Sequence, residues 1–307
     1  MQLTSLLVSS AALAACAGAA AVAPRQDLGD VTFSLPEPIA VDNSNERMLL
    51  PEDVTWSVQE VLDGGGNATE AAPSADAGAA LLGARQIGVD ERVLQTSTAY
   101  PFRAMGRVRI NTASSSSWCS GSLVGARVVM MARHCLTSGA SYRFQPAYYN
   151  SERLGGFDVS HTIHVPGENA DNDGCGWKND WAILIISTKP NYGFLGFRYM
   201  TDAMSNAALN WWNYGYGQDK QASGQHPYSH NGFRVKKTTG CGSSEGGALE
   251  HYADTFGGNS GGPVWLNEAD GSYQYGVHVG AVRGVRAIAS HGATLINAII
   301  KARNDFP

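Results

Sequence analysis

The segment Gly257–Val264 restricts the possible folds of this chain more than any other, because one serine stands between two pairs of glycines ahead of an apolar strand. Glycine adopts positive φ without strain and lets another chain approach the backbone closely, so this spacing is unfavourable inside a helix or a regular strand. Successive N–H groups in such a loop can point at a developing oxyanion. We therefore predict a tight loop that presents Ser260 as a nucleophile and uses the N–H groups of Gly258 and Ser260 to stabilise negative charge.

A histidine and an aspartate precede this serine, each beside a predicted strand. His134 follows a predicted hairpin at residues 122–131, and Asp180 precedes the apolar run 181–186. A histidine can accept the serine proton near neutral pH and return it to a leaving group, and an aspartate can hold the imidazole in the required tautomer. We therefore predict that His134, Asp180 and Ser260 act together as a catalytic triad.

The other apolar segments are short and are separated by glycine-containing turns, which is typical of strands. Only residues 293–303 show helical spacing, with Ile296, Ile299 and Ile300 on one face. Many short strands with such turns predict an all-β sandwich or barrel. The predicted strands lie at residues 102–110, 122–124, 128–131, 181–186, 264–266 and 275–282.

The first 23 residues carry no charge and are mostly apolar or small, and Ala21-Val22-Ala23 matches the cleavage pattern of a secretory signal peptide. We predict a signal peptide at residues 1–23, secretion to the extracellular space, and no membrane attachment once the signal is removed. The alternative is a bacterial lipoprotein box at Leu13–Cys16, although the basic start that both signals normally have is missing.

Charge is divided unevenly along the rest of the chain. Residues 24–85 carry 11 acidic and 3 basic residues, whereas residues 86–307 carry 16 acidic and 19 basic residues. The small positive charge of residues 86–307 argues against a nucleic-acid partner. We predict that residues 24–85 form an acidic pro-segment, which docks partly by charge and acts as an intramolecular inhibitor. The alternative is a solvated, disordered leader.

A Gly/Ala-rich stretch at residues 62–85 is typical of a linker, and Arg85 is the predicted processing point. Processing there would leave a body of residues 86–307 that holds the predicted triad.

Four cysteines remain after removal of the signal peptide, an even number that indicates two disulfides in a secreted chain. Cys119 and Cys135 flank one strand–turn–strand stretch that ends at His134, so we predict that they are paired, which leaves Cys175 with Cys241. No Cys-x-x-Cys spacing occurs, which argues against zinc.

Three blocks of the sequence resemble the motif blocks of the trypsin-like serine endopeptidase superfamily: Ala132–Cys135, Asn179–Ala182 and Gly258–Pro263. The chain order His, Asp, Ser is also the order found in that superfamily. Three further segments are similar to its glutamyl endopeptidase branch: Gln86–Arg92, Thr98–Ala104 and Asp254–Gly258.

The resemblance covers roughly residues 86–307 and implies two antiparallel six-stranded β-barrels with the active site between them. The amino-terminal barrel would span about 86–190, and the carboxy-terminal barrel about 191–307 with its helix. The resemblance also implies a secreted serine endopeptidase that hydrolyses protein or peptide substrates through an acyl-enzyme, without a cofactor. One departure is Asn259, which stands where pancreatic-type trypsins have an aspartate that pairs with the new amino terminus.

The residue preferred before the cleaved bond is open between glutamate, arginine or lysine, and neither of these. Thr255 and His278 match positions that bind a substrate glutamate in the glutamyl branch, and we favour glutamate because a histidine can donate to a carboxylate. Asp254 precedes Ser260 by six residues, where trypsins carry the aspartate that binds arginine or lysine. A preference for arginine or lysine through Asp254 is therefore one alternative.

Two other classes of protein fit parts of the pattern less well. Gly258–Gly262 matches the Gly-x-Ser-x-Gly motif of α/β-hydrolases, but that fold needs its acid and histidine after the serine, and only 47 residues follow Ser260. A non-catalytic binding protein on a protease scaffold is disfavoured by the intact triad residue types. His161 and His164 lack an acidic or cysteine partner at ligand spacing, so we predict no metal site.

Overall fold

The computed structural model describes residues 39–40, 49–65, 89–166, 176–220, 223–238, 247–282 and 285–307. The predicted signal peptide, the predicted processing point at Arg85 and the predicted pair Cys175–Cys241 lie outside the described residues.

The described elements are, in chain order, β1 (Ile39–Ala40), β2 (Glu52–Thr55), α1 (Val58–Gly65), β3 (Val93–Leu94), β4 (Met105–Asn111), β5 (Ser115–Leu123), β6 (Val128–Met131), β7 (Ser141–Pro146), β8 (Phe157–His164), β9 (Ala182–Ile186), β10 (Gly196–Phe197), β11 (Trp211–Gly215), β12 (Tyr228–Phe233), β13 (Val235–Lys237), β14 (Leu249–His251), β15 (Pro263–Glu268), β16 (Gly271–Val282), β17 (Arg286–Ser290) and α2 (Ala293–Asp305). Short 3-10 turns lie at Phe102–Ala104, Arg133–Cys135, Gly176–Asn179 and Asp202–Met204.

Six strands of the first sheet close into a barrel. The antiparallel pairs run β5–β4–β7–β8–β9–β6, and β6 pairs again with β5. The strand β9 is apolar throughout because both of its faces are covered. Leu184 and Ile186 belong to the central core cluster, whereas Ile183 and Ile185 belong to a second cluster that also contains Leu295 of α2.

The second sheet runs in the order β13–β14–β17–β16–β15–β11–β12 with antiparallel pairing. Only Arg234 separates β12 from β13, so these two strands form one bent segment of chain. Because β13 begins the series and β12 ends it, this bend curves the sheet back on itself. The two parallel pairs, β2–β8 and β10–β16, add strands outside the two antiparallel series. The predicted β fold with a C-terminal helix is confirmed, with one closed six-stranded barrel and a second, curved sheet.

The predicted helix at residues 293–303 is α2, but the expectation that no other segment is helical is wrong. Residues 58–65 form α1, so the first four residues of the predicted linker belong to a helix. Ser57 and Glu60 start this helix as a capping box, because the Glu60 N–H donates to Ser57 Oγ at 3.1 Å and the Ser57 N–H donates to Glu60 Oε2 at 2.7 Å. The sequence pattern Ser-x-x-Glu could have identified it.

Cys119 and Cys135 form a disulfide, as predicted. The disulfide links β5 to the turn that carries His134 and therefore restrains the position of this predicted general base. None of the described helices is long and apolar enough to cross a membrane.

Candidate active site

His134 and Asp180 lie side by side because two paired strands lead to them. β6 pairs antiparallel with β9, with Met131 opposite Ala182, so the turn after β6 and the turn before β9 meet at one end of the barrel. His134 Nδ1 lies 2.7 Å from Asp180 Oδ2, and the His134 N–H donates to Asp180 Oδ1 at 2.9 Å. The carboxylate thus holds both the ring and the backbone of the histidine.

Ser260 reaches this pair from the loop between β14 and β15. His134 Nε2 lies 2.9 Å from Ser260 Oγ. An ionised carboxylate can only accept hydrogen bonds, so the proton of a neutral imidazole sits on Nδ1, and Nε2 is left to accept the serine proton. The structure therefore brings the three predicted triad side chains into one hydrogen-bonded series.

The glycines around Ser260 are required by backbone geometry. Gly258 and Gly261 adopt φ of 98° and 88°. A Cβ on Gly258 would lie 2.3 Å from the Tyr216 carbonyl oxygen, and one on Gly261 would lie 2.1 Å from the Ser120 carbonyl oxygen. Any side chain at either position would displace the loop from both barrels.

The backbone N–H groups of this loop fall into two sets. Those of Asn259, Gly261 and Gly262 donate to Phe256, His278 and Asn259 carbonyl oxygens at 2.9, 2.7 and 2.8 Å. Within the described part of the chain, no acceptor is assigned to the N–H groups of Gly258 and Ser260. These two donors are the ones the sequence predicts for an oxyanion.

His278 lies on β16 and is buried, with its backbone joined to the Ser260 loop. Its carbonyl accepts the Gly261 N–H at 2.7 Å, and its N–H donates to the Gly262 carbonyl at 2.8 Å. Burial lowers the pKa of His278 to about 3, a positive charge on His134 would act in the same direction, and the Ile288 carbonyl and the Asp180 carboxylate oppose both. The ring is therefore uncharged at neutral pH.

A second buried histidine, which the sequence analysis did not single out, contacts His278. His251 Nε2 lies 3.1 Å from His278 Nδ1, and the Ala253 N–H donates to His251 Nδ1 at 3.4 Å. His251 Nδ1 is thus an acceptor, so His251 Nε2 carries the proton and donates to His278 Nδ1. Burial, followed by the neighbouring rings of His278 and His230, holds the pKa of His251 well below its usual value. His278 is left with its proton on Nε2.

The other predicted pocket residue is Thr255. It is half-buried on the loop that precedes Ser260, and among the described residues it makes no hydrogen bond with His278. Asn259 is buried beneath the same loop, where its Oδ1 accepts the Phe256 N–H at 3.3 Å.

Asp254 binds the segment that precedes β3. Its Oδ2 accepts the Glu91 N–H at 2.8 Å, and its own N–H donates to His230 Nδ1 at 2.8 Å. Glu91, His230 and Asp254 bring three candidate metal ligands within 4.8 Å of one another. The ring nitrogen Nδ1 of His230 and the Oδ2 atom of Asp254 each accept a backbone N–H, so both residues also hold the protein chain in place here.

A cavity of about 900 Å³ lies on the other side of the histidine. His134, Asp180 and Trp177 line it together with Leu50, Pro51 and Asp53 from the predicted pro-segment. Ser260 and His278 are not among its lining residues. The cavity therefore adjoins the base and its carboxylate, and it is distinct from the predicted pocket at His278.

Comparison with known proteins agrees with this geometry. The family model for trypsin matches residues 93–297. A curated relative, the glutamyl endopeptidase of Bacillus licheniformis, is 27% identical over 218 residues, which are 64% of this chain and 61% of the relative. The chain thus spans less than two thirds of that relative's length.

Two solved structures share the fold. A Glu endopeptidase in complex with MPD has a TM-score of 0.57 and 19% identity, over 72% of this chain and all of that one. The protease Anisep from Arthrobacter nicotinovorans has a TM-score of 0.53 and 21% identity, over 69% of this chain and 99% of that one. At this identity the likeness establishes the fold alone.

Proposed function

The chain belongs to the trypsin family, and we propose that it is a secreted serine endopeptidase that hydrolyses peptide bonds through an acyl-enzyme on Ser260. The observation that carries this proposal is the 2.9 Å separation between His134 Nε2 and Ser260 Oγ, with Asp180 behind the ring.

The residues act in two steps. His134 Nε2 takes the proton of Ser260 as Oγ attacks the substrate carbonyl carbon, and it then protonates the leaving amine as the C–N bond breaks. Water next attacks the acyl-enzyme and gives one proton to His134, which passes it to Ser260 Oγ as the ester bond breaks and the new carboxyl group is released. Asp180 accepts from Nδ1 throughout and stabilises the imidazolium.

The oxyanion formed in each step would bind the N–H groups of Gly258 and Ser260. Each such donor contributes roughly 3 kcal/mol to transition-state stabilisation. The positive φ of Gly258 and the restriction of Gly261 by the Ser120 carbonyl support a loop whose donors are oriented before substrate binds.

The proposed preference is for glutamate before the cleaved bond. A substrate carboxylate in this pocket would accept the Nε2–H of His278 in place of the Ile288 carbonyl, and Thr255 would offer a second donor. The name of the Bacillus licheniformis relative supports this preference. A preference for arginine or lysine is less well supported, because the carboxylate of Asp254 already accepts the Glu91 N–H.

We also propose that the chain is made as a less active precursor that matures by cleavage near Arg85. The segment Glu91–Arg92 is held beside Asp254 by the hydrogen bond from the Glu91 N–H. Burial would raise the pKa of Asp90, but hydrogen bonds from Arg92 and Lys220 outweigh burial and lower that pKa. We expect an uncut linker, which leads into this segment, to restrict the predicted substrate pocket at His278. The Cys119–Cys135 disulfide supports secretion, since disulfides persist in oxidising compartments.

A peptide library tests the proposed function. Purified protein, cut in the linker, should cleave peptides after glutamate, and the Ser260→Ala variant should cleave none while keeping the same near-UV circular dichroism. Cleavage by the Ser260→Ala variant would contradict the nucleophile, and cleavage after arginine or lysine would contradict the pocket assignment only.

A further inference from the structure

The leader segment, defined here as residues 49–65, adds a strand to the first barrel. β7 pairs with only the first two residues of β8. The last four residues of β8 pair with β2 instead. β2 runs parallel to β8, with Glu52 opposite His161 and Thr55 opposite His164, and the Trp56 N–H donates to the His164 carbonyl at 3.0 Å. Strand addition of this kind is how extended peptides bind an exposed sheet edge.

The acidic side chains of β2 face polar side chains of β8. Thr162 Oγ1 donates to Asp53 Oδ1 at 2.8 Å, and the ring nitrogens of His164 and His161 lie 3.4 and 3.5 Å from carboxylate oxygens of Asp53 and Glu52. The two histidines that the sequence left without a role are therefore contacts for the leader segment.

Apolar side chains of the leader segment complete a core of the body. Val61 is fully buried, and Trp56 is only 8% exposed. Both belong to a cluster with Ile163 of β8 and with Leu295 and Ile299 of α2. Removal of the segment would expose this apolar surface to water.

The helix α1 lies close against α2. A Cβ on Gly64 would lie 2.8 Å from Lys301 Cδ, so glycine permits this approach. Lys301 Nζ lies 4.7 Å from the centroid of the Trp56 ring, which adds a cation–π contact to the same interface.

The leader segment also forms part of the cavity beside the triad. Leu50, Pro51 and Asp53 line the cavity of about 900 Å³ that His134 and Asp180 line from the other side. The body on its own would lack this wall.

We infer that cutting the linker does not release the leader segment, which stays bound as a non-covalent subunit and keeps one wall of the cavity beside His134 in place. All of its described contacts are made with β8, α2 and the cavity, by residues that precede the cutting site in the linker, so none of them depends on the linker being intact. This inference does not depend on the proposed activity.

Size-exclusion chromatography of cut protein tests it. A recognition site for a viral cysteine protease is placed at residues 76–82 of the full chain carrying Ser260→Ala, which prevents self-cleavage. After complete cutting, we expect the leader fragment and the body to elute together in a one-to-one ratio without denaturant. Elution of the wild-type leader fragment apart from the body would overturn the inference.

Two neighbouring positions of α1 provide the matched variants. Val61→Asp places a carboxylate in the apolar cluster, so about a tenth or less of the leader fragment should remain with the body. Leu62→Asp changes a side chain that is 37% exposed and should leave binding unchanged. Equal retention of both variants would also contradict the inference.

A third measurement does not depend on how the Val61→Asp variant folds. Hydrogen exchange of the cut Ser260→Ala protein, with its leader segment otherwise unchanged, should protect the amides of β2 and Trp56 as strongly as in the uncut chain. Exchange at the rate of a free peptide would contradict a retained subunit. Failure of the endopeptidase proposal would leave these three results unaffected, because all are obtained with Ser260→Ala.

Discussion

The backbone N–H of Ser120 donates a hydrogen bond of 2.8 Å to the carbonyl oxygen of Ser260. Ser120 lies on β5 of the first barrel, and Ser260 lies in a loop of the second sheet. The Ser120 hydroxyl extends the link, since it donates to the Gly258 carbonyl at 2.7 Å and accepts the Tyr216 N–H at 3.0 Å. β5 pairs with β6, which leads to His134, so a single strand sets the distance between the proposed nucleophile and its base.

Replacing Ser120 with alanine should lower kcat more than it raises KM. The change leaves the Gly258 carbonyl and the Tyr216 N–H without their partner, at a cost of about 1–3 kcal/mol, and loosens the loop that would bind the oxyanion. Ser122→Ala is the matched control, because its buried hydroxyl on the same strand donates to Gln274 and does not contact the loop. Equal kcat losses in the two variants, measured with one peptide substrate, would show that Ser120 has no special link to the site.

Replacing His278 with alanine should reduce cleavage after glutamate far more than cleavage after neutral residues. We expect a loss of about 10²-fold in kcat/KM for glutamate, the effect of losing one good hydrogen bond to a charged group. His251→Gln should give a smaller loss of the same kind, because it acts through His278. A uniform loss for all substrates would contradict the assignment of His278 to the pocket.

Replacing Asp254 with asparagine separates the two specificity alternatives. If Asp254 binds the Glu91 N–H and not substrate, the preference for glutamate should persist, with a modest loss of stability from the weakened contact. The measurement is a comparison of kcat/KM for matched peptides with glutamate, lysine or a neutral residue before the cleaved bond. Loss of a preference for lysine in this variant would favour the trypsin-type alternative.

Stability should fall on acidification because three histidines of the second barrel are buried in the uncharged state. Burial lowers the pKa of His278 to about 3, of His291 to about 4, and of His251 well below its usual value. Unfolded rings have a pKa near 6.5 and take up protons that the folded protein excludes, so this stability is complete above about pH 6.5 and is lost as the pH falls towards 3.

Urea unfolding of Ser260→Ala measures this effect. The free energy of unfolding should decrease by at most about 1.4 kcal/mol per histidine per pH unit below pH 6. His291→Gln should lessen the slope. A flat profile between about pH 6 and pH 4 would be inconsistent with three neutral buried rings.

Local features could be predicted well from the sequence because a few adjacent residues determine each of them. The Ser260 loop follows from its glycines, and His134 and Asp180 stand at the ends of recognisable strands. Local patterns alone predict only that the fold is a sandwich or a barrel. The resemblance of the motifs to a known family predicts the arrangement of two barrels.

The sequence did not predict contacts between segments far apart in the chain. His251 and His278 meet because β17 lies between β14 and β16 in the sheet, and no local pattern encodes that order. The docking of Glu52 and Asp53 against His161 and His164 is a parallel pairing across 109 residues, which a search for metal ligands within one segment cannot find. The helix α1 was overlooked because its capping box runs directly into glycines.

Covalent labelling tests the central claim most directly. Linker-cut protein is treated with an organophosphonate, which traps a serine only when a neighbouring base activates it, and peptide mass mapping locates the adduct. We predict one adduct per chain, on Ser260, formed at least about 10²-fold more slowly in the His134→Ala variant. The absence of an adduct on Ser260, or equal labelling rates with and without His134, would contradict the account.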